Sequence, residues 1–376
     1  MTQSGPTFEP IPRIVLEGTA RERGRSYGEQ AAARIAVSMD VYRQTFETCD
    51  MSWARVCERA RPYEAEIERV FPVALEELRG VAEGCGTDFA SLLALNVRTE
   101  LLPSDFLAKA GAPGQGAANE CTSFAVSGDG APVWLAQNWD WIGLQRPALV
   151  LLDVRPDAGA RQLVMSEAGM LAKAGFNEHG LGITLNILRS VRDGEAPGLP
   201  THILLRALLE CTCVEEAIEF ARRCTFAASS NVLVADAQGA IASLEFSPLG
   251  VRVVAPVVSG GRRRLWHTNH FLDPDQTAVE ANLDGNLSTR SRLEVAGQML
   301  GDATDLDAAI ALLSDTRYGL ESICRFPDPT LPPIAQIETV ASIIMDLQGR
   351  HMWLSPAQPT VSSYAPHDLA AVSVTA

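Results

Sequence analysis

At Cys121 the hydrophobic rhythm of this chain changes, and the change limits the folds open to it. Over 19–46 and 53–83, apolar side chains recur near every 3.6 positions, as Val56, Ala60, Tyr63, Ile67 and Val70 do. That spacing predicts helices, and another is expected from Phe89 to Leu102. From Cys121 onward the period falls to 2. Short runs over Val133–Gln137, Ala148–Asp153, Gln162–Ser166 and Gly182–Leu188, bounded by Gly, Pro and Asp, predict an antiparallel sheet. Helices are expected over 201–210 and 214–223. Strands then return at Asn231–Ala235, Ile241–Phe246 and Gly250–Ala255, with a hairpin turn at Asp236–Gly239. Helices over 288–300 and 305–314 precede final strands near Val340–Asp346 and Met352–Leu354. Two blocks of strands with helices between them predict an α+β fold: a four-layer α/β/β/α sandwich with an N-terminal helical segment.

The point where the rhythm changes also carries chemistry. Gly111–Glu120 is too rich in Gly, Pro and Ala for a regular element. Cys121 follows it, and Asp140 stands on the next expected strand. An irregular segment, a nucleophile opening a strand and a nearby carboxylate point to a chain that cuts itself between Glu120 and Cys121. The products are 1–120, a small fragment, and 121–376, a catalytic fragment. The new N-terminal cysteine then carries a thiol, with pKa about 8.5, and an α-amine, with pKa about 7.7–8.0. The amine is tuned to take a proton at neutral pH, so one residue supplies nucleophile and base and needs no histidine. The plain alternative is a small buried hydrophobe at a strand start.

The chain has 376 residues, 47% of them hydrophobic, enough for a sizeable core. Its net charge of −15 argues against nucleic-acid binding, which needs a basic face. The one basic run, Arg262–Arg264, reads as a solvated turn. Neither a secretory signal at Met1–Arg13 nor an apolar run of about 18 residues is visible, so no membrane partner is expected. The eight cysteines include no Cys-x-x-Cys pair, and Cys211 and Cys213 read as part of a helical stretch. A reducing, cytoplasmic setting is expected. No Gly-x-Ser-x-Gly elbow, P-loop or dinucleotide fingerprint occurs, so no cofactor is expected. His179, His267 and His270 lack metal-ligand spacing and read as hydrogen-bonding residues.

Several blocks occur in a specific order. They are Glu17–Gly24, Tyr27–Glu29, Glu120–Ser123, Gln137–Asp140, Gly175–Leu181, Leu244–Pro248, His267–His270, Ser322–Arg325 and Ser342–Asp346. Together they resemble the penicillin (isopenicillin N) acyltransferase-like branch of the cysteine N-terminal-nucleophile hydrolases, with peptidase C45-type self-processing. More distantly, the order of Cys121, Asp140, Asn177, Asn269 and Arg325 is similar to that of bile salt hydrolases and penicillin V acylases. The resemblance implies the same four-layer fold, precursor cleavage before Cys121 and an Asp140 that holds the freed α-amine. Two departures stand out. Glu120 occupies the position where penicillin acyltransferase has a glycine. Gln137 occupies the position where bile salt hydrolases carry an arginine, which speaks against recognition of the bile-salt type.

Asn177 and Asn269 are candidates for holding an oxyanion, since an amide donates without titrating; the alternative for Asn177 is a turn residue. Arg325, in an apolar setting, is read as an anchor for Asp140 or for a substrate carboxylate, or else as half of a structural ion pair. Ser247 and Gln137 are candidates for supporting roles. The expected activity is hydrolysis of the amide of an N-acylated small amine or peptide through a Cys121 thioester, with both fragments staying associated. The alternatives are acyl transfer to an amine, with acyl-CoA as donor, and a non-catalytic binding module on the same fold.

Overall fold

The computed structural model describes residues 8–112, 121–128, 130–281, 287–301 and 305–369. It begins with β1 (Arg13–Gly18), a strand that the periodicity does not reveal. α1 (Ala20–Glu47) follows, started by a capping box in which Thr19 and Glu22 satisfy each other's backbone N–H groups. The expected helix over 53–83 is three helices: α2 (Trp53–Ala60), α3 (Tyr63–Val70) and α4 (Val73–Cys85). Pro62 and Pro72 divide them, because proline donates no hydrogen bond within a helix but starts one well. Likewise, the stretch expected as one helix from Phe89 is α5 (Phe89–Asn96) and α6 (Arg98–Leu101), followed by α7 (Phe106–Lys109).

α1 and α4 cross at backbone contact, and glycines make that possible. A Cβ added to Gly28 would lie 2.3 Å from the Val81 carbonyl oxygen, and one on Gly84 would lie 2.1 Å from the Arg25 oxygen. No side chain fits in those spaces. At the same crossing Glu77 is buried and accepts from Arg23 and Arg206, each at 3.1 Å.

The second part of the chain runs β2 (Thr122–Gly128), β3 (Trp134–Ile142), β4 (Leu149–Pro156), β5 (Gln162–Glu167), β6 (Ala174–Asn177) and β7 (Gly182–Ile187). Helices α8 (Thr201–Leu208) and α9 (Val214–Arg222) lead to β8 (Ser230–Ala235), β9 (Ile241–Ser247), β10 (Gly250–Val254), β11 (Val257–Ser259) and β12 (Arg262–His267). α10 (Pro274–Thr277), α11 (Leu287–Met299) and α12 (Leu306–Leu313) precede β13 (Ile337–Asp346), β14 (His351–Ser355) and β15 (Ala365–Asp368).

These strands form two sheets. One has the order β1-β4-β5-β6-β7-β8-β9-β10 and the other β11-β12-β2-β3-β13-β14-β15. Pairing is antiparallel except for β1 beside β4, so the N-terminal segment contributes a strand as well as helices. β2 and β3 pack face to face on β7 and β8. α1 lies against β1 and β4, and α9 against β8 to β10; α11 and α12 cover β2, β3, β12 and β13. The result is the α+β arrangement of two sheets between helical layers.

Strand alternation sorts the side chains between these layers. Phe124, Val126, Trp134 and Ala136 face out to Val295, Ala296 and Leu312 on α11 and α12. Ala125, Leu135, Ile343 and Met345 face in and join the main core. Two smaller expectations are corrected. Arg262–Arg264 form a strand paired with Val126–Gly128, and the turn before them is made by Gly260 and Gly261, both at positive φ. Cys211 and Cys213 sit between α8 and α9 rather than within a helix.

Candidate active site

Cys121 immediately precedes β2 and shares the parity of Ser123 and Ala125, so its side chain points between the sheets. It is 3% exposed and shares a narrow cleft with Gln137, Trp139, Asp140 and Lys173. Its Sγ lies 3.8 Å from the Asp140 carbonyl oxygen. Burial first, and then the Asp140 charge, push the thiol up to about 12. At neutral pH the buried thiol is therefore held in its protonated form. Glu120, the other half of the expected cleavage junction, lies outside the described residues.

Asp140 stands on β3 directly opposite Thr339 of β13, next to a register shift between Thr339 and Ala341. The Thr339 hydroxyl donates to Asp140 Oδ1 at 2.7 Å, and the Arg325 backbone N–H donates to Thr339 Oγ1 at 2.9 Å. Arg325 is thus tied to Asp140 through Thr339, and its own Nε donates to the Ile337 carbonyl at 3.3 Å. Nothing in the sequence marks Thr339, since it is one β-branched residue in a strand-like run.

Asn269 stands two residues beyond β12, beside the residues that line the cleft. Its Nδ2 donates to the carbonyl of Ile187, which lines the cleft, at 3.0 Å. Its Oδ1 accepts from Arg292 Nη2 at 3.2 Å. Arg292, buried on α11, also donates through Nη1 to the Cys121 carbonyl at 2.8 Å and to Thr122 Oγ1 at 3.0 Å. One guanidinium therefore spans the Cys121 backbone and the candidate oxyanion donor. Asn186 on β7 adds a second hydrogen bond to the Cys121 carbonyl, at 3.1 Å.

Asn177 is not brought to this cleft. Its Nδ2 donates to the carbonyls of Leu209 and Cys211 at 2.8 and 2.7 Å, and its Oδ1 accepts from the backbone of His179 and Leu181. Both amide hydrogens are committed to carbonyls, so the side chain braces a turn and has none to offer an oxyanion. Ser247, at the end of β9, is bonded to Gln276 and the Leu249 N–H, away from Cys121. Gln137 lines the cleft but spends its amide on both backbone groups of Leu185, clamping the two sheets together. His267 bridges the sheets through Glu245 at 2.8 Å, and His270 bonds to Thr289 at 2.9 Å. Burial drives the His270 imidazole down to about 4.

Buried charges form the opposite wall. Glu167 of β5 is fully enclosed and meets Lys173 Nζ at 2.6 Å, Arg98 of α6 at 3.2 Å and the Tyr42 hydroxyl of α1. The Lys173 ammonium sits 4.6 Å from the Trp139 ring centroid, and the Arg98 guanidinium is 4.6 Å from that of Trp141. Burial opposes ionisation of Glu167, but Lys173 and Arg98 outweigh it and hold the carboxyl below its usual range. Burial and neighbouring Arg98 bring Lys173 down to about 7, against the pull of Glu167. A lone lysine in the apolar run Leu171–Ala174 was the available sequence signal for this wall.

This geometry sits in a chain with clear relatives. The sequence pattern described as acyl-coenzyme A:6-aminopenicillanic acid acyl-transferase matches residues 126–360, a span that holds Asp140, Asn269, Arg292, Arg325 and Thr339. The acyl-coenzyme A:6-aminopenicillanic-acid-acyltransferase 40 kDa form of Emericella nidulans is 29% identical over 323 residues, covering 83% of this chain and 84% of that protein. Among solved structures, penicillin V acylase from Agrobacterium tumefaciens is 16% identical with a TM-score of 0.38, covering 66% of this chain and 86% of its own. A conjugated bile acid hydrolase from Clostridium perfringens is 12% identical with a TM-score of 0.42, covering 66% and 92%. With more than half of its length matched by the family's sequence pattern, this chain belongs to the acyl-coenzyme A:6-aminopenicillanic acid acyl-transferase family.

Proposed function

We propose that this protein cuts itself before Cys121 and then hydrolyses the amide of an N-acylated small amine or peptide through a thioester on Cys121. The observation that carries this reading is Cys121 at a strand start, its side chain in a cleft with an Asp140 carboxylate fixed by Thr339. After cleavage the Cys121 α-amine takes the thiol proton, and Asp140 stabilises the ammonium that forms. The thiolate attacks the substrate carbonyl carbon. Asn269 Nδ2, with one hydrogen on Ile187, offers the other to the developing oxyanion, a contact worth about 3 kcal/mol of barrier. The C–N bond breaks, the amine leaves with the proton, and water resolves the thioester.

Fragments 1–120 and 121–376 stay together after the cut in this reading. β1 is hydrogen-bonded into the first sheet, and Glu77, Tyr42 and Arg98 make buried contacts to Arg206 and Glu167. The unpaired cysteines support a reducing, cytoplasmic setting.

A second reading, acyl transfer from acyl-CoA to an amine, is favoured by the name of the Emericella nidulans relative. Two measurements test these readings. Intact mass should give species of 120 and 256 residues, and Cys121→Ala should give one uncut species. Wild type that stays uncut yet active rules out the mechanism. The cut protein is then incubated with N-acyl amino compounds, with and without acyl-CoA. Free amine released without acyl-CoA supports hydrolysis, whereas product only with acyl-CoA establishes transfer.

A further inference from the structure

The mature enzyme's base is the α-amine of Cys121, and that amine does not exist until the peptide bond before Cys121 is cut. In the intact chain the Cys121 nitrogen is an amide and cannot take a proton. The first cut therefore needs a proton acceptor from elsewhere in the chain. We infer, resting on the self-cleavage reading, that Lys173 is this acceptor and serves maturation.

Lys173 is 3% exposed and shares the cleft with Cys121. Its ammonium and the thiol influence one another electrostatically. The groups around it are Glu167 on β5 at 2.6 Å, Arg98 on α6, Asp140 on β3, His202 on α8, and Cys121 itself, immediately before β2. Trp139 of β3 covers one side of Nζ. His202 is a poor alternative, because burial and the nearby Lys173 charge press its imidazole well below its usual range. Lys173, brought down to about 7, exchanges a proton at neutral pH as an ordinary lysine does not. Glu167 holds it in place, and the ring of Trp139 excludes water from that side.

The step balances without a co-reactant other than water. The Cys121 S–H proton passes to neutral Lys173 Nζ, and the thiolate attacks the carbonyl carbon preceding Cys121. A C–S bond forms and the C–N bond breaks. The nitrogen leaves as the α-amine, carrying the proton returned by Lys173. Water hydrolyses the resulting thioester, which releases the upstream carboxylate and the free thiol. The newly formed α-amine then takes over as base.

The test follows conversion of freshly translated full-length chain by intact mass from pH 6 to 9, for wild type, Lys173→Met and Lys173→Arg. Wild-type conversion should rise with pH through an inflection near pH 7, because only the neutral amine accepts the proton. Lys173→Met should slow conversion by about 100-fold and lose that inflection. Lys173→Arg keeps the cation beside Glu167 but cannot be deprotonated, so it should be equally slow. Lys173→Arg that converts at the wild-type rate overturns the inference, whether or not Lys173→Met folds. Wild type uncut at every pH overturns the self-cleavage reading and this inference with it. Wild type cut, with both variants cut at the same rate, overturns only the role of Lys173.

Discussion

Arg292 and Cys121 lie 171 positions apart, yet Arg292 Nη1 donates to the Cys121 carbonyl at 2.8 Å. The same guanidinium donates through Nη2 to Asn269 Oδ1 at 3.2 Å, so the proposed nucleophile and the proposed oxyanion donor share one support. Lysine offers a point charge in place of this planar fork and cannot serve both acceptors in the same geometry. Arg292→Lys should therefore lower kcat by about 10- to 100-fold, in line with one or two lost bonds to a charged group. Steady-state kinetics on the purified protein check this. Unchanged kcat would mean that Arg292 only packs.

The two asparagines should separate by phenotype. Asn269→Ala removes a donor beside the cleft and is expected to cost about 100- to 1000-fold in the kcat of the folded fraction. Asn177→Ala removes two hydrogen bonds to buried carbonyls and two from backbone N–H groups. It should lower stability by about 2 kcal/mol or more while leaving the kcat of the folded fraction close to wild type. Paired melting curves and kinetics decide. A large kcat loss in folded Asn177→Ala would restore it to the chemistry.

The α1–α4 crossing predicts intolerance to a single methyl group. Gly28→Ala would place Cβ 2.3 Å from the Val81 oxygen, so the helices must separate. The expected cost is about 1–3 kcal/mol or more, read as a fall in the denaturation midpoint. A midpoint equal to that of wild type would show that the crossing yields without cost.

Glu100 makes stability pH-dependent. It is buried and accepts from the Thr201 N–H at 2.7 Å and hydroxyl at 2.8 Å, but burial outweighs these bonds and raises it to about 7. Its folded value thus lies above its unfolded value of about 4.3. Between these two values the folded state binds more protons than the unfolded state. Its contribution is therefore fully present below the lower value and is lost as pH rises through the upper one, by up to about 4 kcal/mol. Glu100→Gln stays neutral and should lose less stability than wild type between pH 5 and pH 8 in denaturant titrations. Equal losses would falsify the assignment.

What the sequence determined by itself was local. The period of 3.6 before Cys121 and of 2 after it identified the helical regions, most of the strands and the two-sheet architecture, because burial of one face imposes those periods directly. The order of Cys121, Asp140, Asn177, Asn269 and Arg325 carried the family resemblance, and of these Asp140 does share a cleft with Cys121, on the neighbouring strand. The periods did not reveal β1, whose pairing with β4 depends on a distant segment. Only the tertiary structure decided that Thr339 fixes Asp140 across 199 positions, that Arg292 links Cys121 to Asn269, and that Lys173 and Arg98 converge on Glu167. It also moved Asn177 out of the cleft and into a turn. The physical reason is common to all of these. Strand register and layer packing determine which single polar side chains meet, and one polar residue within an apolar run has no period from which its partner could be read.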